Sequence, residues 1–232
     1  MKYIINIAFV IFFSICSYSQ DKTDVIEHVV NKFNTDYQYE FYTTYNLYKT
    51  YTSSTVIESE KGILSRRAKS QYYFKYGNLE FFCDEKISAQ IDHINKSIIV
   101  DNNMTKIPDQ FNVKDIIKGF KVTETQKLPS GWKVLLYADG TASKYDYIKI
   151  DLFVNSDYTL RRQVLYYANV VDFSEDFTKK KLSRPRLEVT YLKTSGKSKL
   201  KTIDFNKYFV IKEKKVYAKP EFREYKITDN RN

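Results

Sequence analysis

The segment KGILSRRAKSQYYFKYGNLEFFCDEKISAQIDHINKSIIVDN, Lys61 to Asn102, changes polarity at nearly every second residue. Tyr72, Phe74 and Tyr76 alternate with more polar neighbours, as do Ile87, Ala89 and Ile91, and then Ile98 and Val100. Turn-forming residues interrupt the pattern at Gly77-Asn78, at Asp84-Glu85 and from His93 to Lys96. Successive side chains of a strand point to opposite faces, so this pattern predicts an antiparallel meander of short strands with one apolar face to cover. The layer over that face decides between a solid core and a ligand cavity.

The flanking sequence supplies candidates for that layer. Asp24 opens a predicted helix to Asn34, with Glu27 in its first turn and a stripe of Val25, Ile26, Val29, Val30 and Phe33 at helical spacing. A long strand from Tyr37 to Tyr51 follows, bent or bulged near Thr43-Thr44. Tyr37, Tyr39, Phe41, Tyr45, Leu47 and Tyr51 share one face of it. Ser53 to Glu60 reads as a loop or strand edge. After the meander, Asn112 to Lys118 predicts a second short helix stopped by Gly119, covering the same concave face as the first.

Further strands are expected at Lys121–Lys127, Trp132–Tyr137, Tyr147–Val154, Leu160–Val170, Leu187–Leu192 and Lys199–Phe205, with a turn at Pro129-Ser130-Gly131. The tail from Asn206 to Asn232 carries Tyr208, Phe209, Val210, Val216, Tyr217, Phe222 and Tyr225. That is too much apolar area for a free segment, so it docks on the sheet or closes one end of it.

The first residues, MKYIINIAFVIFFSICSYS, have the form of a secretory leader. Lys2 precedes an apolar run from Ile4 to Ile15, and Ser17-Tyr18-Ser19 makes a small-x-small cleavage pattern. The run falls short of the roughly 20 residues that span a bilayer. Ile15 stands where a lipoprotein leader would place a small residue before Cys16. The expectation is cleavage after Ser19 and release into the periplasm, with residues 1–19 as leader and 20–232 as one domain. Only Cys83 then remains, either as a small buried hydrophobe or as half of an intermolecular disulfide. The core must rest on packing, for which 21 Tyr and 16 Phe supply the area.

The net charge of +10 would suggest nucleic acid in a cytosolic protein, but export argues against that partner. The densest basic cluster is Lys179, Lys180, Lys181, Arg184 and Arg186, within SEDFTKKKLSRPR. It is either a solvated loop or a patch that meets an anionic partner, lipid headgroup or acidic protein. No nucleophile elbow or metal-ligand spacing is present, and His28 and His93 have no clustered Cys or carboxylate partners in sequence. Neither catalysis, a metal nor a cofactor is expected.

GILSRRAKSQYYFKY, EFFCDEKISAQIDHINKSIIV and YIKIDLFVNSDYTLRRQVLYY, taken in this order behind a leader and a helix, resemble the periplasmic lipoprotein-carrier family with the LolA-like fold. The likeness lies in a glycine-led strand with a basic residue, an aromatic strand, a strand-turn-strand and a late hairpin. The chain departs from the family pattern where Ala68 follows Arg67 in place of a proline, in the glycine-free turn at Asn95-Lys96, and in a longer tail after Asp204.

The resemblance implies an α+β, mainly β fold: one strongly curved antiparallel sheet, an incomplete barrel, with helices across its concave face. It also implies a cavity for an apolar ligand, a lipid or a lipoprotein acyl chain, lined by Tyr45, Leu47, Tyr72 and Phe74. Arg66 or Arg67 would take the family's gating or headgroup position. An envelope interaction module on the same fold is the competing reading, with an envelope protein or the membrane surface as partner.

Overall fold

The computed structural model describes residues 24–35, 38–68, 71–102, 119–139, 147–174, 180–193 and 204–231. The expected leader, the helix at 112–118, most of the strand at 199–205 and Lys179 lie outside them. Helix α1 (Asp24–Thr35) precedes strands β1 (Tyr39–Tyr48), β2 (Val56–Ala68), β3 (Gln71–Tyr76), β4 (Leu79–Cys83), β5 (Ile87–Asp92) and β6 (Ser97–Asn102). Then come β7 (Phe120–Leu128), β8 (Gly131–Ala138), β9 (Tyr147–Asn155), β10 (Leu160–Tyr167), the two-residue strands β11 (Val171–Asp172) and β12 (Leu182–Ser183), and β13 (Arg186–Lys193). The tail forms β14 (Phe209–Lys212), β15 (Lys215–Ala218) and β16 (Lys226–Asp229), with 3-10 turns at Phe205–Lys207 and Pro220–Phe222.

Twelve strands make one open sheet in the order β16-β6-β5-β4-β3-β2-β1-β13-β10-β9-β8-β7. Every strand pairing among the described residues is antiparallel except β16 on β6. Among the described residues the architecture is mainly β and the sheet does not close, an incomplete barrel. The meander strands and their turns fall where the alternation put them. Three details differ from expectation. β2 begins at Val56, because Glu58, Ser59 and Glu60 pair with Leu47, Asn46 and Tyr45 of β1. The irregularity of β1 against β2 lies at Leu47/Tyr48, not near Thr43. Phe205 opens a 3-10 turn and ends no strand.

Cross-strand partners share a face, so the registers carry one face across the sheet. Phe41 stands beside Leu64, Leu64 beside Phe74, Phe74 beside Phe81, and Phe81 beside Gln90. In the other direction Tyr45 stands beside Val189, Val189 beside Gln163, Gln163 beside Leu152, and Leu152 beside Val134. α1 covers this face at the β8–β10 end, where Val25, Ile26 and Val29 pack with Val134, Leu136, Ile150 and Leu152. Val25 and Val29 are fully buried, and each such side chain contributes about 1.5–3 kcal/mol.

The neighbouring row runs Ser65, Tyr73, Phe82, Ala89, Val100 and belongs to the opposite face. There the tail forms a second core: Tyr208 and Phe209 bury against Phe82, Ala89, Ile91, Ile98 and Val100. Ile87, Ala89, Ile91, Ile98 and Val100 therefore face away from Tyr72, Phe74 and Tyr76. The expectation of one apolar face is corrected: the sheet is covered by α1 on one side of one half and by the tail on the other side of the other half. The tail both docks on the sheet and lengthens its edge, with Lys226 N–H donating to Lys96 O at 2.8 Å.

Glu80, buried beneath the tail, ties these layers together. Its Oε2 accepts from the hydroxyls of Tyr73 and Tyr208, both at 2.8 Å, and its Oε1 lies 2.9 Å from His93 Nε2. His93 Nδ1 lies 2.9 Å from the Tyr225 hydroxyl. Cys83 is a buried thiol, with Sγ 3.6 Å from Asp84 O.

Candidate functional site

The C-terminal turn of α1 meets the sheet over β1. Phe33 sits on Tyr39 edge to face at 5.4 Å and on Phe41 at 6.1 Å, and Phe41 in turn meets Tyr191 edge-on at 6.1 Å. Beside these rings is a crevice of about 10 Å3, lined by Lys32, Phe33, Tyr39, Phe41, Thr159 and Lys193, with room for about one water. The helical stripe supplies Phe33, and the alternation of β1 supplies Tyr39 and Phe41. Lys193 arrives because β13 pairs with β1, Lys193 standing opposite Phe41.

The rim is cationic and partly compensated. Lys193 Nζ lies 3.9 Å from Asp157 Oδ2, and the Thr159 hydroxyl donates to Asp157 Oδ1 at 2.6 Å. Burial raises the Asp157 pKa, but the Thr159 hydrogen bonds and the charges of Lys193 and Lys32 outweigh it and hold the carboxyl below its usual 3.8. Burial lifts the phenols of Tyr39 and Tyr191 far above their ordinary value, and Tyr45 is pushed up to about 12, chiefly by burial.

Arg66 occupies the same corner from β2. Its guanidinium donates to the Phe33 carbonyl and lies 5.0 Å over the Tyr72 ring, so a buried cation closes the last turn of α1. A positive charge at a helix C-terminus meets the negative end of the helix dipole. Arg67 falls at the register shift between Arg66 and Ala68, where β2 pairs with β3. Its Nε and Nη2 are buried without a hydrogen-bond partner among the described residues.

Tyr45, Leu47, Tyr72 and Phe74 all fall on the α1 face by register. They do not line the crevice. Tyr45 packs edge-on against Tyr76 at 4.8 Å, and Phe74 is buried. Sequence reasoning missed Lys32, Thr159 and Lys193 as rim residues. The one available signal was a turn at Asn155–Thr159 and a helix with Lys32 in its last turn.

The basic cluster is divided. Lys180, Lys181 and Arg184 are exposed around the β11–β12 ribbon. Arg186 turns inward: its Nη1 donates to the carbonyls of Thr50, Tyr51 and Ser53 at 3.1, 2.7 and 2.9 Å. It also pairs with Glu188 at 2.9 Å and lies 4.0 Å over Tyr48.

No family model matches the sequence, and none of the curated proteins is significantly similar to it. Matches among the solved structures include three distant ones. An uncharacterized conserved protein from Thermus thermophilus is 11% identical over 81% of this chain and 96% of its own, with a TM-score of 0.43. A LolA superfamily protein from Nitrosomonas europaea is 8% identical over 74% and 91%, at 0.33. LprF from Mycobacterium bovis is 10% identical over 75% and 92%, at 0.36.

Proposed function

We propose that this chain is an exported, non-catalytic binding protein that carries an apolar ligand, a lipid or a lipoprotein acyl chain, in the cell envelope, with residues 1–19 as its leader. The observation that supports this most is the cation-rimmed aromatic crevice beneath the end of α1, lined by Phe33, Tyr39 and Phe41 under Lys32 and Lys193. An acyl chain needs far more than the room for one water, so α1 must yield. Lifting the whole helix would expose Val25, Ile26 and Val29 at about 1.5–3 kcal/mol each. Swinging only the last turn moves the half-buried Phe33 and breaks the Arg66 tie. In this reading Arg66 gates entry, and Tyr45, Leu47, Tyr72 and Phe74 line the space beyond it on the same face.

An environment-sensitive fluorescent fatty acid tests the proposal. Saturable binding to the folded chain, displaced by unlabelled palmitate, is expected. Replacing Arg66 and Arg67 with glutamine should speed release of the probe. If the folded protein binds no fatty acid or phospholipid, the carrier reading fails and an envelope interaction module becomes the better account.

A further inference from the structure

The lining of the crevice under α1 holds two cations and, among the described residues, no carboxylate. Lys32 comes from the last turn of α1 and Lys193 from the end of β13, and both border the rings of Phe33, Tyr39 and Phe41. We propose that the cargo of this crevice is a free amphiphile with an anionic oxygen headgroup, a carboxylate or a phosphate, which Lys193 and Lys32 receive while its chain enters among the rings. The proposal rests on the carrier reading of the same crevice and names the class of its ligand.

Lys193 has donors to offer such a headgroup. Its Nζ lies 3.9 Å from Asp157 Oδ2, longer than the roughly 2.7–2.9 Å of a charge-assisted hydrogen bond. Both side chains are 53% exposed, where an ion pair of this length contributes little. Asp157 Oδ1 is engaged with its own loop, accepting from the Thr159 hydroxyl at 2.6 Å and from Thr159 N–H at 3.1 Å. An ammonium carries three donors, so an anion at hydrogen-bond distance gains what Asp157 leaves unused.

Lys32 has a second role open to it, since a cation in the last turn of a helix meets the negative end of the dipole. Arg66 already fills that role by donating to the Phe33 carbonyl, and it offsets the repulsion the helix end would exert on a bound anion. The other acids of the neighbouring elements are turned away: Asp24 pairs with His28 at 3.0 Å, and Glu40 lies between Tyr39 and Phe41 on the opposite face of β1. Lys32, Lys193 and Arg66 against Asp157 leave a surplus of positive charge at this corner. Beyond the described residues, Asp36 follows the helix in sequence while Lys197, Lys199 and Lys201 follow β13, so the flanking chain adds more positive charge than negative. An acyl group carried on a protein is joined through an uncharged amide or ester and brings nothing for these cations. A free anionic amphiphile brings its own counter-charge.

The test is equilibrium dialysis of the chain without its leader against radiolabelled amphiphiles that share a dodecyl chain and differ in headgroup: dodecanoate, dodecyl phosphate, dodecanol and dodecyltrimethylammonium. The two anions should bind about tenfold tighter than the alcohol, and the ammonium weakest. Lys32→Gln with Lys193→Gln should narrow the preference for the anions to about twofold, and Lys32→Arg with Lys193→Arg should keep it. Asp157→Asn retains an oxygen for Thr159 and removes the competing charge, so it should widen the preference roughly two- to threefold. That is a gain a misfolded variant cannot give.

Tighter binding of dodecanoate than of dodecyl phosphate supports the proposal and identifies a fatty acid as the source, and the reverse order supports it with a phospholipid. Equal binding of acid, alcohol and ammonium keeps the carrier reading and overturns the anionic headgroup. A preference that survives the double glutamine substitution overturns the assignment to Lys32 and Lys193. Binding of none of these amphiphiles overturns the carrier reading itself, and this inference with it.

Discussion

Tyr158 lies almost flat on Trp132, with ring centroids 4.7 Å apart and planes 13° from parallel, although its own φ is +62°. It is the last residue of the Ser156-Asp157-Tyr158 loop between β9 and β10, where Tyr158 N–H donates to Asn155 O and Asn155 N–H to Thr159 O. A left-handed residue in such a three-residue loop is usually glycine. Tyrosine is held there by its ring, which stacks on Trp132 and meets His28 of α1 at 4.4 Å, while Lys127 Nζ lies 3.6 Å from the centre of the Trp132 ring. The hairpin turn and the helix are thereby joined through side chains.

Removing the ring while keeping the strain should therefore cost more than removing both. Tyr158→Ala is expected to destabilise by about 2–3 kcal/mol, from lost burial and stacking. Tyr158→Gly relieves the left-handed backbone and should recover roughly 1 kcal/mol of that loss. Urea unfolding of the two variants checks the order. A glycine variant less stable than the alanine one would show that φ +62° carries no strain here.

The packing of α1 on β8–β10 predicts that Val29→Asp destabilises by about 3 kcal/mol or more, because Val29 is fully buried and the new carboxyl would have no partner among its apolar neighbours. Thermal melting reads this directly. An unchanged midpoint would mean that the helix does not cover the sheet.

Glu80 predicts an acid limb in the stability curve. Burial opposes its ionisation, but hydrogen bonds from His93, Tyr208 and Tyr73, with the charge of Lys75, outweigh burial and hold its pKa below 4.5. A carboxyl whose pKa is lowered on folding contributes its full stabilisation above the unfolded value. That contribution is lost as pH falls through the folded value. Glu80→Gln should cost about 1–3 kcal/mol at neutral pH, with the gap closing below pH 4.5. Denaturant titrations across the acid range check it, and a gap that persists there would assign the loss to packing.

Much of this architecture is legible in the sequence because the turns are chemically explicit and the strands alternate. Gly77-Asn78 and Pro129-Ser130-Gly131 mark hairpins without knowledge of the partners. The faces are less legible, since Phe81 and Phe82 are adjacent and one must turn each way; which layer each meets depends on where the tail returns. Val56–Glu60 reads as loop because Val56, Ile57, Glu58 and Ser59 are exposed, yet its backbone is held by the β1 ladder. Arg186 looks like part of a solvated charge run because its partners are backbone carbonyls of the 50–53 turn, which have no sequence signature. In the candidate site the rings could be read from periodicity. The lysine rim could not, because it exists only once β13 lies against β1.

The second core carries a consequence for the order of folding. β6 is made early and its edge partner β16 is nearly the last element of the chain, so Ile98 waits for Ile227 and the apolar side of the meander waits for Tyr208 and Phe209. Pairings so distant along the chain close slowly, because the loop entropy must be overcome before the contact forms. A chain stopped short of residue 205 would expose Phe82, Ile91, Ile98 and Val100 on one side of its strands, a sticky surface for other chains. Only a molecule that carries Tyr208 and Phe209 conceals that surface.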